Sequence, residues 1–287
     1  MGRFQIITDS ACDISPALLA EWNVKYAQLT FHFVGEDREY ANGDMSIGEF
    51  YQYMRDGRVA KTAAVGMDAY QKTFEPVLQA GDDILYIGFA TALSNSSQVA
   101  KLIGRELMEK YPERKVICID SRCASAGQGM LVYYAVQQRD AGLGLEELAE
   151  YVRATLPKIC HWFTVADLVY LKRGGRVSAA SALAGTLLQI KPVLHVDDEG
   201  RLINVKKIRG RKQAIGEMME RYMQTALDPK GMYFISHGDC LDDAKLLEDM
   251  IFQRTGSRCE LITDVGPVIG AHSGPGTLAL FFLGSER

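Results

Sequence analysis

Two rhythms of apolar residues alternate along the first half of this chain. Short apolar runs at 4–8, 26–34, 83–89 and 115–120 predict strands. Between and after them, stretches with helical spacing predict helices, at 97–111, 124–140 and 145–156. The punctuation agrees. Ser15-Pro16 is an N-cap followed by proline at the first helical position. Ser46 with Glu49 three residues on is a capping box, ahead of Phe50, Tyr51 and Met54 on one helix face. Gly142 suits the end of the 124–140 helix. The strands are apolar on both faces, as in a buried parallel sheet covered by helices.

The second half is patterned differently. A helix is expected over 178–190, then a hairpin of strands 192–196 and 202–208 around the polar turn Asp197-Asp198-Glu199-Gly200. Helix 211–227, strand 232–236, helix 241–255, strand 259–263 and a last strand at 277–283 follow. The reading is therefore an N-terminal parallel-sheet α/β domain (1–157) and a C-terminal α+β domain (158–287), divided near Pro157. The 287-residue length suits two domains of ~150 residues each.

Composition narrows the function. A net charge of −4 gives no basic face for nucleic acid or an anionic membrane. No run of ~20 apolar residues spans a bilayer, and Gln5 and Asp9 interrupt any signal-peptide core. The six cysteines form no CxxC pair, which points to reduced thiols and a cytoplasmic location. Cys12 lies in a loop where a thiol can react, but nothing near it in sequence marks it as a nucleophile.

Four loops could carry chemistry: 8–13, 61–66, 92–97 and 266–276. Ligands of open parallel sheets bind beyond the strands' carboxyl ends, where Asp9 and Ser94 lie. The Ser94 loop also opens a helix, whose free N–H groups favour an anion, although Ser94 or Ser97 could simply cap that helix. Thr62 lies among small residues, as turn residues do. His272 stands between glycines and prolines, read as a loop with no element to bury it. There is no G-x-S-x-G elbow, Walker A loop, G-x-G-x-x-G or metal-type cluster among the five scattered histidines. What remains is a binder of a small anionic or amphipathic ligand, needing no metal and no cofactor. A binder of, or an enzyme acting on, another small anionic ligand, a phosphate ester or a carboxylate, in the inter-domain cleft is the alternative.

Four segments, in order, give the chain a family look. Ile7-Thr8-Asp9-Ser10-Ala11-Cys12-Asp13, then Tyr170 through Ser178, then Lys191-Pro192-Val193-Leu194, then the 266–276 loop together resemble the bacterial DegV family. The resemblance implies one long-chain fatty acid buried between the domains, its carboxylate held by Thr62, Ser94 and His272. It also implies a non-catalytic subunit that presents this carboxylate to a separate fatty acid kinase for acyl-phosphate formation. The chain departs from the family pattern at Ala63-Ala64-Val65-Gly66, which replaces a hydroxyl- and proline-containing loop, and at Asn95, where glycine is usual. Arg173 and Arg176 flank two glycines in a segment read as an exposed loop, and Arg209 and Arg211 flank Gly210. In an acidic chain these basic turns are candidate docking points for the kinase, Arg173 and Arg209 foremost.

Overall fold

The computed structural model describes residues 3–177 and 189–287. Strand β1 (Phe4–Asp9) leads through a tight turn to helix α1 (Pro16–Glu21). The Ser15 hydroxyl accepts from the Leu18 amide at 3.2 Å, and Pro16 sits where its missing N–H leaves no helical bond unmade. Strands β2 (Val24–Ala27), β3 (Thr30–Phe33) and β4 (Tyr40–Ala41) precede helix α2 (Ile47–Arg55), capped by Ser46. Then come β5 (Ala60–Ala63), α3 (Met67–Gln79), β6 (Asp83–Gly88), α4 (Ser96–Lys110), β7 (Val116–Asp120), α5 (Ala126–Asp140) and α6 (Leu145–Thr155). The remainder comprises β8 (Ile159–Thr164), α7 (Val169–Arg173), β9 (Ile190–Val196), β10 (Leu202–Arg209) and α8 (Arg211–Thr225). It ends with β11 (Tyr233–His237), α9 (Leu241–Thr255), β12 (Leu261–Asp264), α10 (Pro267–Ser273) and β13 (Leu278–Leu283).

A four-stranded sheet in the order β2-β1-β6-β7 is parallel throughout. Alternation along β6 explains its two covered faces. Ile84 and Tyr86 pack under α3 and α4, while Leu85 and Ile87 face α5 and α6. The second sheet, β10-β9-β8-β13-β11-β12, is mostly antiparallel. Its β8 and β13 send Phe163 and Phe281 towards α5 and Trp162 and Phe282 towards α8 and α9. Helix α5 is thus packed between two sheets, which is why Met130, Leu131, Val132 and Ala135 are all buried. At Gly127 a Cβ would lie 2.2 Å from His161 Nε2, so only glycine lets α5 approach β8 this closely.

Several elements differ from the sequence expectation. The run at 26–34 is two strands in different sheets: the Ser10 hydroxyl accepts from the Leu29 amide at 2.9 Å and redirects the chain between them. The supposed loop at 61–66 begins as β5, paired antiparallel to β3 in a three-stranded sheet. Helix α3 and strand β8 were not anticipated, and the 173–176 segment starts as the end of α7. The 266–276 loop contains α10, started by Pro267 and ended at Gly274 with φ 82°. Glycine and proline there mark helix ends rather than irregular chain. The helix expected over 178–190 falls on 178–188, outside the described residues, and Ile190 belongs to β9. Cys12 is buried, and burial pushes its thiol pKa up, so it is not a thiol open to reaction. All six cysteines are free, and no helix among the described residues is long and apolar enough to cross a membrane.

Candidate functional site

The site is built around α10. Tyr51 of α2 donates to the Val265 carbonyl at 2.8 Å, and Ala271 packs with Phe31, Phe50 and Tyr51. This aromatic cluster fixes the short helix against β3 and β5. Register then does the rest: Thr62 of β5 pairs with Phe31, and its Oγ1 lies 2.8 Å from His272 Nε2. On the other side of the ring, Gly174 closes in so tightly that a Cβ there would lie 2.2 Å from Nδ1. His272 is therefore a clamped, mostly buried side chain of a helix rather than the unburied loop histidine expected. Burial, and then the positive charge of Arg176, pull its pKa down to about 4, so the imidazole is neutral near pH 7.

Ser94 lies in the turn after β6. Its Oγ is 3.0 Å from Ser96 Oγ and accepts from the Ser96 amide at 3.3 Å. The cap position is Asn95 and makes no side-chain cap bond, so Ser94 is not the helix cap weighed from the sequence; its side chain borders the cavity described next. Ser97 is fully buried, and its hydroxyl donates to the Phe89 carbonyl at 2.6 Å.

Thr62, Ser94 and His272 come from three distant segments, and the structure brings all three to one cavity of about 220 Å³. Most of the wall is apolar, with Leu29, Phe89, Leu93, Phe163 and Phe281 among its residues. The residue that sequence reasoning misassigned is Arg176. It lines this cavity instead of an outer surface. Its Nε donates to the Leu93 carbonyl at 3.2 Å, and another guanidinium nitrogen to the Gly174 carbonyl. Burial alone pulls its pKa down, and among the described residues no carboxylate pairs with it. A half-buried cation without a counter-ion, beside two hydroxyls and a neutral imidazole, is matched to an anion. No pattern in the sequence marks Arg176 as turned inwards; only its neighbour Val177, buried in the fold, accompanies it.

The other candidates separate from this cluster. Asp9 is fully buried and accepts from Tyr86 Oη, the Phe89 and Ala11 amides and Gln128 Nε2 at 2.7–3.2 Å. It ties β1, β6 and α5 together and does not border the cavity. Arg211 bonds Asp243 and the Gly276 carbonyl, at 2.8 and 2.7 Å, which makes it a structural brace. Arg173 and Arg209 are both exposed: Arg173 stands 5.7 Å from the Tyr170 ring centre, and Arg209 Nε is 3.4 Å from Gln189 Oε1. No group of histidine, cysteine and carboxylate side chains suited to a metal occurs among the described residues.

A family model matches residues 3–285, nearly the whole chain; it describes uncharacterised proteins of the DegV family. The chain belongs to the DegV family. A DegV domain-containing protein of Clostridium perfringens is 37% identical over 100% of this chain and 99% of its own. A fatty acid binding DegV family protein from Thermus thermophilus is 28% identical, with a TM-score of 0.86 over 97% of this chain and 98% of its own. A fatty acid binding DegV family protein from Streptococcus agalactiae is 25% identical, with a TM-score of 0.85 over the full length of both chains. The DegV fold accounts for the parallel-sheet domain joined to a second, sheet-rich one.

Proposed function

We propose that this DegV protein holds one long-chain fatty acid in the cavity and presents its carboxylate to a separate ATP-using kinase. The observation that carries the reading is the cavity itself: mostly apolar, with Thr62, Ser94, His272 and Arg176 on its wall. Relatives from T. thermophilus and S. agalactiae that bind fatty acids support it.

This reading assigns the protons as follows. A neutral His272 carrying hydrogen on Nε2 donates to Thr62 Oγ1. That frees the threonine hydroxyl to donate to the ligand carboxylate, while Ser94 supplies a second O–H and Arg176 the countercharge. For the tail, ~15 buried methylenes at ~0.8 kcal/mol each give on the order of 12 kcal/mol of gross transfer free energy. Lost freedom offsets several kcal/mol of this. The chain's own residues bind and orient, and none is assigned a bond-breaking step. The six free cysteines fit a reducing cytoplasm, where ATP is available to the kinase. Exposed Arg173 and Arg209 are the proposed docking points for that kinase.

Extraction of the purified protein followed by mass spectrometry should yield about one fatty acid per chain. If it yields none, and added fatty acid leaves the melting temperature unchanged, the reading fails. Charge reversal at Arg173 or Arg209 should spare fatty acid binding and slow acyl-phosphate formation by a cognate kinase. Loss of neither activity would place the docking surface elsewhere.

A further inference from the structure

Helix α10 lines the cavity with Val268, Ile269, His272 and Ser273. These positions recur at three and four residues, so one face of the helix forms this part of the wall. The face changes character along its length. Val268 and Ile269 are apolar, and one turn on, ~6 Å along the axis, His272 and Ser273 are polar. Ser273 therefore belongs to the end of the wall where His272 meets Thr62.

Ser273 is 5% exposed, and its Oγ has no hydrogen-bond partner among the described residues. It does not turn back to the Ile269 carbonyl, a common recourse of a helical serine. The other buried hydroxyls of the wall are paired. Thr277 donates to the Gly274 carbonyl at 2.7 Å and Ser125 to Asp13 Oδ2 at 2.5 Å, and Ser236 Oγ lies 3.0 Å from Ser125 Oγ. Buried polar groups are rarely left without a partner, because an orphan costs the fold its full desolvation. Helix α10 is also tied at both ends. Tyr51 donates to the Val265 carbonyl and the Gly274 amide to the Gly270 carbonyl, each at 2.8 Å. The hydroxyl is thus held at the cavity's polar end with a proton to give. An ionised carboxyl group accepts about four hydrogen bonds. Thr62, Ser94 and Arg176 supply three of them in the reading above, and Ser273 has the chemistry and the position to supply another.

Resting on the fatty acid reading above, we infer that Ser273 is a further ligand-binding residue, donating its hydroxyl to the fatty acid carboxylate beside Thr62, Ser94 and Arg176. Its orphan state in the empty cavity then gives the test two readouts of opposite sign. The full chain, stripped of lipid, is titrated by calorimetry with octadecanoic acid and with methyl octadecanoate, and its thermal unfolding is followed without ligand. Ser273→Ala should hold or raise the melting temperature, because it removes a buried hydroxyl that pairs with nothing in the protein. The same variant should weaken binding of the acid roughly 5- to 150-fold, the range for one hydrogen bond to a charged group. The ester should lose clearly less, since bonds to a neutral acceptor are about half as strong. Ser273→Cys keeps the shape and donates more weakly, so it should shift the affinities in the same direction. It decides the matter if the alanine variant does not fold. Unchanged affinity for the acid, with the melting temperature lowered or not, would overturn the inference while leaving fatty acid binding intact. Equal losses for acid and ester would overturn it in the same way. Binding of neither compound by wild-type protein would overturn it together with the proposed function.

Discussion

Gly174→Ala adds one methyl group at the tightest point of the site. The new Cβ would lie 2.2 Å from His272 Nδ1 and 3.1–3.2 Å from two ring carbons, all part of a clamped ring. Gly174 itself has φ −73°, so the alanine backbone is unstrained and ordinary chain stiffening would favour the variant by about 0.4–1 kcal/mol. Overpacking of a filled interior costs about 1–3 kcal/mol, so the steric effect wins. His272 moves, and its 2.8 Å bond to Thr62 is lost. Losing that orientation for a charged ligand should weaken fatty acid binding by about 1–3 kcal/mol, roughly 5- to 150-fold. Calorimetry with a long-chain acid reads the affinity, and thermal unfolding of ligand-free protein reads the stability. Gly48→Ala is the control, since a Cβ there meets nothing within 4 Å and sits in α2. It should leave affinity alone and hold or slightly raise stability. If Gly174→Ala behaves like Gly48→Ala in both measurements, the clamp on His272 is not part of the binding site.

Ser94→Ala should weaken fatty acid binding by about 1–3 kcal/mol; unchanged affinity in a titration would reduce Ser94 to its bonds with Ser96. Arg176→Gln should lower affinity for the acid far more than for its methyl ester, because only the acid carries the charge that the guanidinium offsets. Equal losses in a competition assay would deny Arg176 that part. His272 titrates near 4 in the folded chain and near 6.5 when unfolded, so the unfolded state binds the extra proton between those values. Its share of stability is complete above about pH 6.5 and falls away towards pH 4, by on the order of 3 kcal/mol. His272→Asn should flatten that slope in denaturant titrations at several pH values, and an unaltered slope would contradict the assignment. Asp13, raised to about 7, works in the opposite sense: its share of stability is lost as pH rises from about 4 to 7. Asp13→Asn should therefore steepen the acid-side loss in the same titrations, and a parallel curve would refute it.

Local patterning determined most of the architecture. Apolar runs and capping residues such as Ser15 and Ser46 mark strands and helices, because these signals act within a few residues of chain. The hairpin of β9 and β10 was legible for the same reason. Family likeness supplied Thr62, Ser94 and His272 as a set, which no spacing in the sequence connects. Only the tertiary structure could decide that Thr62 and His272, 210 residues apart, share a bond. Their meeting depends on the β3–β5 register and on aromatic packing under α10, which are long-range events. Arg176 shows the same limit from the other side. Its turn is glycine-flanked and looks exposed in the sequence, yet the folded chain has it lining the cavity, bonded to the Leu93 and Gly174 carbonyls. Helix α10 was hidden because glycine and proline end helices as well as make loops. The contact of Asp13, Ser125 and Ser236 likewise exists only where residues from both sheets' surroundings converge. Sequence fixes what each residue can do chemically, and the folded chain fixes which of those capacities face one another.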